Sequence, residues 1–110
     1  MGKNNLTGAW GEAVAAEYLR KKRFQILATN YRTRFGEIDI IARREKELFF
    51  IEVKSRRNTA FGLPCEAVTK KKQQHMRRVA ASFLEEQKLR WDACSFQVIE
   101  IGFHQIENAF

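Results

Sequence analysis

Residues 36–54 read Gly-Glu-Ile-Asp-Ile-Ile-Ala-Arg-Arg-Glu-Lys-Glu-Leu-Phe-Phe-Ile-Glu-Val-Lys. This stretch predicts two strands, 37–42 after a turn at Gly36 and 48–54 after a polar turn. The second strand is almost wholly apolar until Glu52, a pattern that is typical of a strand buried on both faces. We therefore expect it near the centre of a sheet.

Two helices frame these strands in the sequence. Thr7 is a suitable N-cap for a first helix over 8–22, and Thr69 for a second helix that reaches about residue 87. Apolar residues recur at helical spacing in both segments, and they are Ala9, Ala13, Ala16 and Leu19 in the first, and Met76, Val79, Ala80, Phe83 and Leu84 in the second. Each helix is expected to pack its apolar stripe on the sheet.

Strands over 25–31 and 95–101 complete the predicted order α-β-β-β-α-β. The fold class is α/β, with a mixed sheet that is flanked by helices and a last strand that joins after a helical crossover. With 110 residues and no linker or internal repeat, residues 1–110 are interpreted as a single domain. The edges of the sheet do not follow from the sequence.

The composition is that of a soluble globular domain, with 45% hydrophobic and 30% charged residues. No apolar run approaches the roughly 18 residues of a membrane span, and no export signal is visible, so we expect a cytoplasmic protein without a membrane partner. Cys65 and Cys94 lie far apart and are interpreted as structural thiols in a reducing compartment. Trp10, Trp91 and the phenylalanines are expected in the core.

The charge balance favours a polyanionic partner. There are 20 Lys and Arg residues against 13 Asp and Glu, which gives a net charge of +7. Three lysines begin the second helix, where the helix dipole disfavours cations unless a phosphate binds there. A basic surface that is merely solvated remains the alternative. The candidate nucleic-acid contacts are Arg32, Arg34, Arg56, Arg57, Lys70, Lys71 and Lys72.

Two acids in the central strands predict a metal site. The period of a strand puts Asp39 on the face opposite Ile38 and Ile40, and if the two strands form a hairpin, Asp39 and Glu52 converge. Such carboxylates need a compensating cation or metal ion. Asp39, Glu52 and the carbonyl of Val53 would suffice for Mg²⁺, which keeps several waters. Alternatively, these side chains face solvent in a cross-strand ion pair worth roughly 0.2–1 kcal/mol.

The same residues suggest hydrolysis. Lys54 shares a face with Glu52 and would lower the cost of a metal-bound hydroxide or of the charge that develops when water attacks a phosphodiester. Glu12 shares its helix face with Ala16 and Leu19 and could orient that water. Glu17 lies just as near an apolar stripe, and helical geometry alone does not choose between the two acids.

Several short motifs along the sequence together resemble those of a known family. The motifs that carry the resemblance are Gly8-x-x-Gly11-Glu12-x-x-Ala15, Tyr18-Leu19, Asn30-Tyr31-Arg32, Gly36-Glu37-Ile38-Asp39, Glu52-Val53-Lys54 and Phe61-Gly62-x-Pro64-x-Glu66-Ala67. They resemble the YraN-like family of bacterial proteins, which is similar in fold to archaeal Holliday junction resolvases of the PD-(D/E)xK, restriction-endonuclease-like superfamily. In the last strand, this chain has Gln97 where the family tends to carry an aspartate.

The resemblance implies that Asp39, Glu52 and Lys54 stand at the D…ExK positions and that Glu12 is the acid of the first helix. It also implies a homodimer that cuts branched DNA symmetrically. We therefore expect a Mg²⁺- or Mn²⁺-dependent DNA endonuclease. A catalytically weak nucleic-acid-binding module is the second hypothesis, and a basic adaptor for another protein is the third.

Overall fold

The computed structural model of the chain describes residues 5–57, 68–87 and 90–103. The elements are α1 (Asn5–Lys21), β1 (Gln25–Thr33), β2 (Gly36–Arg44), β3 (Glu47–Arg57), α2 (Lys70–Glu86) and β4 (Ala93–Phe103). This order confirms the predicted α-β-β-β-α-β succession. Neither of these helices is long and apolar enough to cross a membrane, which is a finding about the described residues.

The four strands form one mixed sheet in the order β1-β2-β3-β4. The pairs β1–β2 and β2–β3 are antiparallel, whereas β4 pairs in parallel with β3. Among the described residues, the first and last strands are therefore the edges of the sheet. These directions also bring the carboxyl ends of β1, β3 and β4 to the same side as the amino end of β2, and we call this side the motif end of the sheet.

The central strand β3 is buried on both faces, as its sequence predicted. Phe49, Ile51 and Val53 pack against α1, and Leu48 and Phe50 pack against α2. Fully burying a side chain of this size stabilises the fold by about 1.5–3 kcal/mol. The buried residues of α2 are Met76, Val79, Ala80 and Phe83, so the stripe predicted for the second helix is confirmed.

The buried stripe predicted for the first helix is confirmed in part. Ala16 and Leu19 are buried, together with Ala15, but Ala9 and Ala13 are exposed. The helix also begins at Asn5, so Thr7 lies within it and is not its cap. Several alanines occupy neighbouring positions here, and alanine marks a buried face weakly because it is small enough for either environment.

Two aromatic residues that were expected in the core are exposed. Trp10 retains 47% of its accessible surface and Phe96 retains 44%. Trp10 lies on the outer side of α1, and Phe96 lies on the edge strand β4, where one side of its ring stacks on Phe50. Cys94, on the same strand, is a free and exposed thiol whose pKa is raised by partial burial.

The turn between β1 and β2 packs beside α2. Gly36 has a φ of 139°, a conformation that favours glycine, and a β-carbon there would lie 3.6 Å from the β-carbon of His75. The Thr33 hydroxyl accepts a hydrogen bond from the backbone N–H of Phe35 within this turn. The turn thereby fixes the start of β2, three residues before Asp39.

Both ends of α2 are tied to the rest of the molecule. Thr69 is its N-cap, as predicted, with its hydroxyl accepting a hydrogen bond from Lys72 N at 3.1 Å. Near the other end, the Tyr31 hydroxyl donates a hydrogen bond to the Glu86 carboxylate. That bond raises the pKa of Tyr31 to about 12. The helix is thereby anchored at its start and linked to β1 at its finish.

Replacing the cap should destabilise the fold by a measurable amount. Thr69→Ala removes the hydroxyl that accepts from Lys72 N, and we expect a loss of about 1 kcal/mol in the free energy of unfolding. Thr69→Ser keeps an acceptor and serves as the control. Urea denaturation followed by circular dichroism measures both variants, and equal stability of Thr69→Ala and wild type would contradict the assigned cap.

Candidate functional site

The two central strands separate at Asp39. Their ladder runs from Arg44 and Glu47 to Ile40 and Ile51, and the next residues along, Asp39 and Glu52, are not part of it. A carboxylate oxygen of Asp39 instead accepts a hydrogen bond from the backbone N–H of Val53 at 2.8 Å. A side chain thus bridges the strands where their ladder ends, and the backbone of β3 fixes the carboxylate of Asp39.

Both acids of the motif are buried. Asp39 is 4% exposed and Glu52 is 8% exposed. This burial rules out the alternative in which they are solvent-facing charges of an amphipathic hairpin. A buried carboxylate is costly unless hydrogen bonds or a positive charge compensate it, so the surroundings of each acid matter.

Glu52 is compensated by a lysine from α2. The ammonium of Lys72 lies 3.2 Å from a carboxylate oxygen of Glu52. The sequence predicts Lys72 as a phosphate contact and does not reveal this ion pair, because the two residues come from separate elements. A lysine in the first turn of a helix interacts unfavourably with the helix dipole. In the sequence, this unfavourable position is the feature that indicates a nearby anion.

Lys54 also lies at the motif end of the sheet. It is half-buried and follows Glu52 by two positions, so both side chains leave the same face of β3. The parallel ladder sets Lys54 beside Glu100 of β4. The ExK part of the motif therefore presents one acid and one amine towards the side of the sheet that α2 covers.

Side-chain alternation in β2 is interrupted at Asp39. Ile38 packs in the cluster under α2, whereas Ile40 packs in the cluster under α1. The prediction that Ile38 and Ile40 share a face is therefore wrong. Strict alternation holds for a strand that is paired regularly on both sides, and β2 loses its β3 neighbour here.

The structure distinguishes the two acids of α1. Glu17 is exposed and lies 3.8 Å from Arg20, as expected for a surface pair on a helix. Glu12 is half-buried, on the turn that precedes Ala15 and Ala16. Phe24, just beyond α1, packs on Phe49 near the start of β3, so the helix runs away from the motif end and its first half lies towards it. Of the two acids, Glu12 is therefore the one that is partly buried and lies in the half of α1 nearer the motif end.

The predicted nucleic-acid contacts lie around the motif end. Lys70 and Lys71 are exposed in the first turn of α2. Arg32 is also exposed, and its guanidinium lies 3.5 Å from Glu37. The exposed Arg34 sits over the ring of Phe35 in the β1–β2 turn. The backbone of β3 carries Arg56 and Arg57 to this end, but their side chains fall outside the described residues. The residues 61–67, which include Cys65, and His104 also fall outside them.

The donors at the site suit a hard divalent ion with few protein ligands. Within the described residues, no three His, Cys, Asp or Glu side chains group as a metal site. The predicted ligands are fewer, comprising Asp39, Glu52 and the carbonyl of Val53. Mg²⁺ is commonly held by one or two carboxylates and keeps several waters. The two buried carboxylates therefore fit such an ion in number and in chemistry.

Comparison with known proteins identifies the family. The model of the uncharacterised protein family UPF0102 matches residues 11–101, a span that contains Glu12, Asp39, Glu52 and Lys54. The chain belongs to this family. Its membership confirms the YraN-like resemblance drawn from the motifs.

Several bacterial UPF0102 proteins are similar to this chain along almost all of its length. The protein of Alkaliphilus metalliredigens is 42% identical and is aligned over 94% of this chain and 96% of its own. The protein of Caldicellulosiruptor saccharolyticus is 44% identical over the whole of both chains. The protein of Clostridioides difficile is 44% identical over 97% of this chain and 98% of its own. Their names state the family and no activity.

The last strand of this UPF0102 protein carries an amide side chain, Gln97, beside the central strand. Gln97 is exposed and its side-chain N–H donates to the hydroxyl of Ser95 at 3.4 Å. It lies beside Ile51 in the ladder, one position before the level of Glu52. Position 97 therefore adds no carboxylate to the site, and the D…ExK residues of β2 and β3 carry it.

Substitution of Asp39 should reveal how much its bridge to Val53 stabilises the fold. Asp39→Ala removes a buried acceptor from the Val53 N–H, and we expect a loss of about 1–3 kcal/mol in the free energy of unfolding. Asp39→Asn keeps an oxygen at the same place and should lose less. Denaturant titration of both variants without metal measures this, and equal stability of the two would contradict the bridging role.

Proposed function

We propose that this UPF0102 protein is a Mg²⁺- or Mn²⁺-dependent DNA endonuclease that hydrolyses phosphodiester bonds. The observation that supports it most is the pair of buried carboxylates, Asp39 and Glu52, on adjacent strands that separate there. A purely structural role would not require two acids to be buried at one end of a sheet. An amine, Lys54, leaves the same face as Glu52, and the three residues together match the D…ExK pattern.

Each residue of the site has a distinct part in the proposed reaction. Asp39, Glu52 and the carbonyl of Val53 would hold the metal ion, which when bound supplies an activated water and Lewis acidity. The hydrogen bond from Val53 N–H orients the carboxylate of Asp39. Lys54 places a positive charge where negative charge develops on the phosphate. Glu12 would accept a hydrogen bond from the attacking water and so align it.

The proposed substrate is DNA because the basic residues lie around the motif end. Lys70 and Lys71 are exposed at the amino end of α2, where backbone N–H groups and the helix dipole favour a phosphate. Arg32 and Arg34 are exposed on the same side, and the backbone of β3 ends there with Arg56 and Arg57. With a net charge of +7, the chain suits a polyanion whose binding releases counterions. Branched DNA is proposed from the likeness of the YraN-like family to Holliday junction resolvases.

We propose further that the enzyme is a homodimer that pairs through β4. The described sheet gives this eleven-residue strand a neighbour on one side only, and Phe96 and Val98 on it are 44% and 37% exposed. A cleft of about 210 Å³ between α2 and β4 continues this apolar surface. An exposed edge strand without lysine or proline at its centre is a template for pairing with another strand.

The sequence of β4 is compatible with pairing to a second copy. In an antiparallel pair centred on Gln97, Phe96 would lie opposite Val98 of the partner subunit on the same face. Glu100 would lie opposite Cys94 of the partner subunit, so that no two glutamates meet. Such a two-fold interface is self-complementary, and it would present two sites to the two strands of a junction.

A nucleic-acid-binding module without strong catalysis is the second candidate. Lys72 already neutralises Glu52 in the structure, and Gln97 adds no carboxylate. Both observations favour a site that has become a stable ion network. The cleavage experiment distinguishes the two candidates.

Cleavage should require metal and both buried acids. Labelled linear, flapped and four-way DNA is incubated with Mg²⁺, Mn²⁺ or EDTA, and products are resolved on denaturing gels. We expect metal-dependent cutting by the wild type, fastest on four-way DNA, and a loss of at least about 100-fold in Asp39→Asn and Glu52→Gln, because each removes a charged ligand.

Glu17→Gln is the matched control for these variants, since it removes an exposed acid that pairs with Arg20 on α1. It should cut at the rate of the wild type. Binding of the same DNAs without cutting under either metal would refute the endonuclease and support the binding module. Cutting that persists in Asp39→Asn would place catalysis elsewhere in the chain.

A charge on the edge strand should separate the proposed dimer. Val98→Lys places an ammonium in the apolar centre of the β4 pair, and we expect monomers in sedimentation velocity where the wild type gives dimers. Ala81→Lys, which adds the same charge at an exposed position of α2, should leave the dimer intact. A monomeric wild type, or a dimer unaffected by Val98→Lys, would contradict this interface.

A further inference from the structure

The ion pair between Lys72 and Glu52 joins two unequal environments. The glutamate side chain is 11% exposed, whereas that of the lysine is 43% exposed. Glu52 is thus held within the sheet, and Lys72 reaches it from the first turn of α2 with much of its side chain exposed to solvent. An ammonium on a flexible four-carbon stem can change position without repacking the core.

We infer that Lys72 is an exchangeable counter-ion of Glu52, which the metal ion replaces, and that DNA binding promotes this exchange. The inference rests on the proposed function, since it takes the metal ion and DNA as the two ligands. In the metal-free protein the ammonium compensates the buried carboxylate. When DNA is bound, a phosphate attracts the ammonium, and the carboxylate becomes available to the metal ion.

Competition follows from charge and from geometry. The ammonium lies 3.2 Å from an oxygen of Glu52, and the metal ion would need the same carboxylate. Two cations on one carboxylate repel each other, and partial burial strengthens the repulsion because water screens it less. Metal and ammonium therefore bind Glu52 at each other's expense.

A phosphate bound at the amino end of α2 could pair with the released ammonium of Lys72. Lys72 lies in the first turn of α2, next to the exposed Lys70 and Lys71. The amino end of a helix attracts phosphate through its N–H groups and its dipole. A phosphate bound there would draw Lys72 away from Glu52, and by reciprocity metal and DNA would each strengthen the binding of the other.

The central experiment compares Lys72→Met with Lys71→Met in the full-length, metal-free protein. Both variants lose one positive charge from the same helical turn, but only Lys72 contacts Glu52. Mn²⁺ affinity is measured by isothermal titration calorimetry and electron paramagnetic resonance, without DNA. We expect Lys72→Met to bind Mn²⁺ about tenfold more tightly than the wild type, and Lys71→Met to stay within about twofold, because screening weakens the more distant charge.

Thermal unfolding supplies a readout that is independent of activity. Without metal, Lys72→Met removes the ion-pair partner of the buried Glu52, so the Tm of this variant should fall below that of Lys71→Met. Mn²⁺ should then raise the Tm of Lys72→Met by more than that of the wild type. Lys72→Arg keeps the counter-ion and should restore both the Tm and the Mn²⁺ affinity of the wild type.

The coupling to DNA is tested at saturating concentrations of a phosphorothioate-linked duplex that resists hydrolysis. This DNA should raise the Mn²⁺ affinity of the wild type and of Lys71→Met by several-fold more than that of Lys72→Met. Asp39→Asn in parallel corrects for Mn²⁺ bound by the DNA itself.

The outcomes separate this inference from the proposed function. If wild type, Lys72→Met and Lys71→Met bind Mn²⁺ with equal affinity, the exchange is overturned while the metal site stands. If none of the three binds Mn²⁺ with or without DNA, the metal site fails, and the exchange and the endonuclease fail with it. Equal coupling to DNA in all three overturns the part of the inference that concerns DNA.

Discussion

The burial of two carboxylates where the central strands part is the constraint on which the rest of this structure depends. Asp39 and Glu52 are both buried, and a buried carboxylate destabilises the fold unless it has fixed partners. The backbone N–H of Val53 provides one partner because the ladder has ended there. Lys72 provides another because α2 begins beside the point where β2 and β3 separate. The end of the β2–β3 ladder and the start of α2 thus provide the polar partners of the two buried carboxylates.

Much of the fold could be predicted because β3 and α2 carry strong patterns. The apolar run before Glu52 is buried on both sides only in the middle of a sheet that is covered on both faces. Thr69 and the regular stripe from Met76 to Phe83 likewise admit one helix and one orientation. The first helix was harder, because its alanines suit a buried or an exposed position equally. Trp10 and Phe96 were misplaced because a large aromatic side chain suggests burial even where one side of its ring meets solvent.

The site was predictable to the extent that it is local in sequence. Asp39, Glu52 and Lys54 lie on consecutive strands, and their positions relative to an apolar run can be seen in the linear sequence. The contact of Lys72 with Glu52 depends on how α2 crosses the sheet, which no spacing encodes. The choice between Glu12 and Glu17 depends on the rotation of α1, and the weak pattern of that helix left it open. Long-range packing therefore supplied what the motif could not.

The parallel pairing of β4 with β3 has a consequence for how the chain assembles. β1, β2 and β3 are joined by short turns and can associate early, since the closure of small loops is fast. The other side of β3 stays unpaired until β4, at the far end of the chain, has been synthesised and α2 has crossed the sheet. During translation, the run from Leu48 to Ile51 is an apolar strand with an open edge, the kind of segment that associates with other chains. Completion of the sheet by its last strand thus ends the period in which the nascent chain is most prone to aggregate.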